Sequence, residues 1–215
     1  MKLPDMRSLL LVPLAALTLS AASTFPNPPE VAVAPKTTDT VVLAGGCFWG
    51  MQLVFDHVKG VTKSVVGYAG GAKKTADYET VSTGMTGHAE SIQITFDPAQ
   101  ISFGTLLKIY FSVAHNPTEL NYQDNDHGTQ YRSSIFYTSE DQKKVAEMYI
   151  QELDAAKVYN HKIVTKVVPL QGFYPAEDYH QNFAAKNPNH GYIVAMDIPK
   201  YLNLKKQFPE LVKGK

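Results

Sequence analysis

The stretch Thr40-Val41-Val42-Leu43-Ala44-Gly45-Gly46-Cys47-Phe48-Trp49-Gly50-Met51-Gln52-Leu53-Val54-Phe55-Asp56-His57-Val58 decides the fold. Its first part is an apolar, β-branched run that predicts a strand. Its second part carries Cys47, Met51, Val54 and Val58 at spacings of four, three and four, which predicts a helix. Cys47, the only cysteine, therefore falls at a strand-to-helix junction, on or near the first turn, with the only tryptophan two residues on. Unpaired N–H groups and the positive end of the helix dipole favour a thiolate there. Gly45 and Gly46 let the backbone approach a substrate closely, and Phe48 and Trp49 can wall an apolar pocket. One reading is a nucleophile that attacks something small and partly apolar. The other is a buried structural cysteine, which has no need of flanking glycines.

Working outward, Lys59-Gly60 ends the helix and Val61 to Val66 forms a strand. Gly67-Tyr68-Ala69-Gly70-Gly71 opens a flexible stretch that leads through Tyr78 to Gly84 and Gly87. Residues Ala89 to Phe96 alternate, with Glu90, Ile92, Ile94 and Phe96 on one face. After the turn at Asp97-Pro98, Ser102 caps a helix carrying Phe103, Leu106, Leu107, Tyr110 and Ala114. A long polar stretch from His115 to Arg132 has few apolar anchors, and such loops are usually functional or disordered. Ser134 to Tyr137 resumes a strand. Ser139 and Gln142 make a capping box for a helix with Val145, Met148, Tyr149 and Leu153. Ile163 to Val168 is another strand, Pro175 to Lys186 a short helix, and the last stretch is irregular. Strands and helices in this order predict an α+β, two-layer sandwich without internal repeats.

Twenty basic residues balance twenty acidic ones over the 215, so nothing points to nucleic acid or an anionic membrane surface. The start of the chain is different. Lys2 and Arg7 precede the apolar run from Ser8 to Ser20, followed by Ala21, Ala22 and Ser23. A basic region, an apolar core of about 7–15 residues and small residues for cleavage predict a secretory signal peptide over 1–23. The run is short of the roughly 20 apolar residues a membrane span needs, although an uncleaved anchor is the competing reading. Residues 24–37, rich in proline and alanine, read as a linker before a single domain over 38–215. One cysteine excludes an internal disulfide, so in an oxidising compartment the thiol reads as reactive.

Glu90 is the second signal. A carboxyl on the apolar face of its strand has its charged form disfavoured, which suits a general acid near neutral pH. The alternative places it at the strand end, with its carboxylate in water. Asp126, His127, Gln130, Tyr131 and Arg132 crowd the polar loop, and Tyr78 and Tyr131 offer hydroxyls to a polar substrate oxygen or simply pack. His180 is either a general base or a helix-surface histidine. His88 and Glu90 are too few for a metal. Asp124-Asn125-Asp126-His127-Gly128 fails as a calcium loop, because its glycine is one position early and the distal glutamate is missing.

Five blocks in order resemble the peptide methionine sulfoxide reductase A family. They are Gly45-Gly46-Cys47-Phe48-Trp49-Gly50, Gly67-Tyr68-Ala69-Gly70-Gly71, Thr86-Gly87-His88-Ala89-Glu90, the run Asn125 to Ser133 and the run Tyr174 to Gln181, all within about residues 40 to 195. The resemblance implies a ferredoxin-like plait with additional helices. It also implies that Cys47 attacks the sulfur of a methionine S-sulfoxide and that Glu90 protonates the departing oxygen. Tyr78 and Tyr131 would hydrogen-bond that oxygen, Asp126 would join the polar network, and Phe48 and Trp49 would hold the methyl group. No bound cofactor or metal is implied. Many members resolve the resulting sulfenic acid with a second cysteine near a C-terminal Gly-Tyr. Here Gly191-Tyr192 is followed by Ile193, and Ser82 stands where some members have cysteine. Regeneration is thus expected from an external thiol: a thioredoxin-like protein, a glutaredoxin-like protein or a small thiol. The expected product is an exported monomeric repair enzyme acting on oxidised proteins, peptides or free methionine sulfoxide. A thiol peroxidase and a non-catalytic binder of oxidised methionine are the competing functions.

Overall fold

Strand β1 (Asp39–Ala44) lies at the centre of the molecule, and α1 (Phe48–Asp56) carries the chain from it to β2 (Val61–Ala69). The chain continues through α2 (Tyr78–Val81), β3 (Ala89–Phe96) and α3 (Phe103–Ile109), the last prolonged by a π turn over Tyr110–Ala114. A small hairpin, β4 (Tyr122–Gln123) with β5 (Asp126–His127), precedes β6 (Ser134–Tyr137) and α4 (Glu140–Ala155). Then come β7 (Lys166–Pro169), β8 (Phe173–Pro175), α5 (Phe183–Lys186) and α6 (Ile198–Gln207). The structure is a computed structural model that describes residues 25–29 and 37–214. The expected signal peptide and residues 24 and 30–36 of the expected linker lie outside the described residues.

The main sheet has the order β7-β6-β1-β3-β2-β8. Its inner four strands, β6-β1-β3-β2, are all antiparallel, and α1 and α3 make the two crossovers. This is the split βαβ plait that the family resemblance implies, within the two-layer α+β sandwich that the sequence predicts. A parallel strand, β7, is added beyond β6, and an antiparallel one, β8, beyond β2.

β1 shows why its sequence does not alternate. Val41 and Leu43 enter the main core with Met51, Val54 and Phe55 of α1, Leu106 and Leu107 of α3, and Val145 and Tyr149 of α4. Val42 and Ala44 face a second cluster with Ala69, Ala89 and Phe136. A strand buried on both faces needs a continuous apolar run. β3 alternates because Ile92, Ile94 and Phe96 point to the helices.

Several expectations need correction. β2 runs on to Ala69, so Gly67-Tyr68-Ala69 is strand, paired with Ser91, Glu90 and Ala89 on one side and with β8 on the other. Gly67 permits this, since a Cβ there would meet the Tyr174 carbonyl at 2.3 Å. The expected strand from Ile163 begins only at Lys166. The expected helix over 175–186 shrinks to Phe183–Lys186, because Glu177, His180 and Gln181 are turned inward to bond other segments. The C-terminal segment, expected irregular, holds a π turn over Ile193–Asp197 followed by α6, started by a proline in its first turn. Ile193 and Asp197 of that turn, Leu204 of α6 and the following Phe208 are all buried.

The polar stretch 115–132 is ordered by side chains rather than by apolar anchors. Gln123 closes a ring with Asn116, accepting from its N–H at 2.9 Å and donating to its carbonyl at 2.6 Å. His115 is buried between the Tyr110 carbonyl and the Ser133 hydroxyl, and burial pushes its pKa down to about 3. Residues 25–29 rest on the helical layer, so contact with the folded body starts ahead of Thr38. Phe25 meets Tyr159 edge-on at 5.8 Å, and the Tyr149 hydroxyl donates to the Pro26 carbonyl at 3.0 Å.

Candidate active site

Cys47 is the N-cap residue of α1, at φ −57° and ψ 124°, and is 7% exposed. Gly46 sets the bend before it with φ +82°, and a Cβ at that position would meet Gln123 at 2.8 Å. The Gly46 N–H donates to the Tyr131 carbonyl at 3.2 Å, which ties the cysteine loop to the polar loop.

Glu90, 3% exposed, reaches the same helix start from β3. Its Oε2 accepts the Phe48 N–H at 3.1 Å. Although Glu90 is the second residue of β3, its carboxylate is buried and not in water: Tyr68 lies opposite it on β2, and the start of α1 donates to it. Burial pushes its pKa up to about 8, against the Phe48 hydrogen bond and with help from Asp126. The carboxyl is therefore neutral at pH 7 and holds a proton to give.

The sulfur departs from expectation. Burial raises the Cys47 thiol well above its ordinary range, and the charges of Glu90 and Asp197 raise it further. The Trp49 N–H opposes them, while Asp126 adds to them. Desolvation at this helix start outweighs the dipole, so Cys47 is held as a thiol and not as the thiolate that the helix position suggested.

The two tyrosines join the site. Tyr78 packs in the cluster of Cys47, Phe48, Tyr68 and Trp49. Burial first, and then Glu90, raise both Tyr78 and Tyr131, so both remain phenols able to donate. Asp126, on β5, accepts a hydrogen bond from the Tyr192 hydroxyl. Phe48 is buried against Tyr68 and His180, with ring centroids 5.9 and 5.0 Å apart. Trp49 stacks on Phe183 at 3.9 Å and meets Tyr192 edge-on at 6.0 Å. An aromatic wall thus stands beside the sulfur.

Sequence reasoning missed four contributors or misplaced them. His180 is buried, not a surface residue: its Nδ1 accepts the Trp49 Nε1–H at 3.1 Å and fixes the indole. Glu177 accepts from the Tyr78 N–H and from the Tyr68 hydroxyl, both at 2.9 Å. Tyr192 orients Asp126, and its only sequence signal is its place after Gly191. Arg132 donates to the carbonyls of Gly87, His88 and Thr129 at 2.8–2.9 Å, bracing the approach to Glu90 against that to Tyr131. His88 is committed to backbone through both ring nitrogens, to Gly71 N–H and the Ala72 carbonyl. A cavity of about 560 Å³ between residues 27–29 and the ends of α3 and α4 contains none of these groups.

This is the arrangement of a buried sulfur nucleophile beside a neutral carboxylic acid, ringed by phenols and an aromatic wall. It suits attack on an electrophile whose leaving oxygen must be protonated. Known proteins agree with it. The chain is 57% identical to peptide methionine sulfoxide reductase MsrA 2 of Mesorhizobium japonicum, over 83% of this chain and 91% of that protein. It is 47% identical to MsrA 2 of Synechocystis, over 86% of each. Among solved structures, methionine sulfoxide reductase A of Corynebacterium diphtheriae superposes with a TM-score of 0.62 at 34% identity, covering 77% of this chain and 84% of that one. Reduced Mxr1 of Saccharomyces cerevisiae gives a TM-score of 0.66 at 32% identity, covering 74% and 90%. The family model described as peptide methionine sulfoxide reductase matches residues 39–211, and the chain belongs to that family.

Proposed function

We propose that Cys47 and Glu90 reduce methionine S-sulfoxide, free or in proteins, and so repair oxidative damage. The observation that carries this reading is the neutral Glu90 carboxyl on the same helix start as the cysteine. A sulfoxide oxygen leaves only when protonated, and a carboxyl kept neutral by burial supplies that proton. Cys47 gives up its proton as it attacks the sulfoxide sulfur. Glu90 protonates the oxygen while Tyr78 and Tyr131 donate hydrogen bonds to it, and Phe48 and Trp49 hold the methyl group. The Cys47 proton completes the departing oxygen as water when the S–O bond breaks, which leaves Cys47 joined to the substrate as a sulfonium. Water then attacks the Cys47 sulfur, the S–S bond breaks, methionine leaves, Cys47 becomes a sulfenic acid, and a proton of that water returns to Glu90. The substrate sulfur is reduced by two electrons and Cys47 is oxidised by two. Reductases of this kind act on one sulfoxide epimer each.

Recycling is external. Cys47 is the only cysteine of the 215 residues, so a first donor thiol displaces water to form a mixed disulfide. A second donor thiol then releases Cys47 and leaves the donor as a disulfide. A thioredoxin-like protein, a glutaredoxin-like protein or a small thiol fits this role. The basic-then-apolar character of residues 1–23 supports export, to a periplasm or the medium, with a membrane-anchored form where the segment is kept. Among the described residues no helix is long and apolar enough to cross a membrane. The enzyme is proposed to act as a monomer.

A single turnover of the reduced protein, without added reductant, tests the reading. About one methionine per enzyme from the S epimer alone, with loss of the Cys47 thiol, is the expected result. No methionine from either epimer, with the thiol intact at the start, would leave peroxide reduction or sulfoxide binding as the function.

A further inference from the structure

Asp197 takes no part in the chemistry above, yet it is a fully enclosed carboxyl, 0% exposed. Among the described residues neither of its oxygens has a hydrogen-bond partner. The Lys200 ammonium lies 3.8 Å away, one helical turn on. A buried carboxylate without donors costs several kcal/mol in general, and such groups concentrate where a site needs their charge. Its position indicates what it serves. Asp197 sits against Gly50, in the first turn of α1 and three residues after Cys47. A Cβ on residue 50 would lie 2.2 Å from its Oδ1 and 3.3 Å from the Lys200 Nζ. Gly50 has no left-handed φ, so the glycine serves to make room. Gly50 and Asp197 are a matched pair that brings a negative charge under the cysteine turn.

We propose that Asp197, seated on Gly50 and paired with Lys200, is a positioning residue that keeps the lone Cys47 as a thiol before substrate binds and so slows its reaction with electrophiles other than the sulfoxide. The chain has no second cysteine to rescue an oxidised sulfur. A thiolate that attacks hydrogen peroxide breaks the O–O bond, becomes a sulfenic acid and releases hydroxide, which takes up a proton to give water. A second such event gives the irreversible sulfinic acid. The other groups around Cys47 are Glu90 from β3, Asp126 from β5, Tyr78 from α2, Tyr131 from the turn before β6, and Tyr192 ahead of the C-terminal helix. Of the carboxyls, Glu90 and Asp126 belong to the reaction, whereas Asp197 rests on Gly50 in the first turn of α1.

The test is the rate of Cys47 alkylation by iodoacetamide across pH, with no sulfoxide present, so its outcome is independent of the reductase reading. Asp197→Asn removes the charge and keeps the shape. The expected result is a downward shift of the thiol midpoint by about one unit, which makes alkylation at pH 7 roughly tenfold faster. Inactivation by hydrogen peroxide should accelerate alongside it. Asp197→Ala removes the same charge with a smaller side chain and serves if the asparagine variant does not fold. A midpoint within about 0.3 units of wild type in a folded variant would overturn the proposal and leave Asp197 a packing residue.

Discussion

At the residue scale, one helix start serves two groups with opposite needs. Glu90 takes the Phe48 N–H and is still pushed up to about 8, because burial outweighs one hydrogen bond. Cys47, one residue earlier, is also pushed up, so the resting pair holds both protons. Attack requires that one proton leave the pair while the other stays on Glu90, and such coupled sites titrate together. The second-order rate on methionine sulfoxide is therefore expected to rise with pH and level off near 8. Glu90→Gln should lower it by roughly 10²–10⁴-fold, the usual worth of a general acid, and remove the break near 8. A pH series of single-turnover rates on both proteins checks this, and an unchanged break in the variant would show that another group donates the proton. Cys47 at the strand-to-helix junction was legible because periodicity changes there. The protonation states of Cys47 and Glu90 were not, since both depend on burial by residues far away in the chain.

At the element scale, short helices are held by their caps and long loops by single polar side chains. Ser102 Oγ accepts the Thr105 N–H at 3.0 Å and Ser139 Oγ accepts that of Gln142 at 3.3 Å, as their sequences predict. Ser102→Ala leaves an N–H of α3 unpaired, and caps of this kind are worth ~1 kcal/mol. A loss of that size should lower the melting temperature by roughly 2–4 °C in a chain of this length, read by circular dichroism. No change would mean that water replaces the cap fully. Elsewhere tertiary partners override local pattern. Gln181 donates to the carbonyls of Val66 and Ala176, and its Oε1 accepts the Val66 N–H. Those bonds hold residues 176–182 out of the expected helix, and Asn182 takes φ +57° to leave them.

At the scale of the whole molecule, folding places three carboxyls, Glu90, Asp126 and Asp197, around one sulfur, and stability records the cost. Glu90 and Asp197, with folded pKa values raised to about 8 and about 6, bind protons more tightly folded than unfolded. Their contribution to stability is thus greatest below their unfolded values and is lost as pH rises toward 8. His115, pushed down to about 3, works in the opposite direction between that value and its unfolded one. The comparison of wild type with Glu90→Gln isolates the first effect. The variant should gain on wild type between pH 5 and 8, by ~4 kcal/mol as an upper bound. Urea midpoints at the two pH values measure it, and an equal difference at both would mean that Glu90 ionises as freely as in the unfolded chain.

The sequence by itself determined the α+β two-layer sandwich, the place of Cys47 at a strand-to-helix junction, the apolar strand face that carries Glu90 and the lack of a second thiol. Each follows from local periodicity or from composition, which a chain carries without being folded. Only the tertiary structure decided that Cys47 rests as a thiol, that His180 and Glu177 brace Trp49 and Tyr78, and that the C-terminal segment is helical. It also decided that Asp197 lies beneath Gly50. These contacts join residues about 100 or more positions apart, such as Tyr78 with Glu177 and Trp49 with His180. Desolvation by so distant a neighbour leaves no periodic trace in the chain.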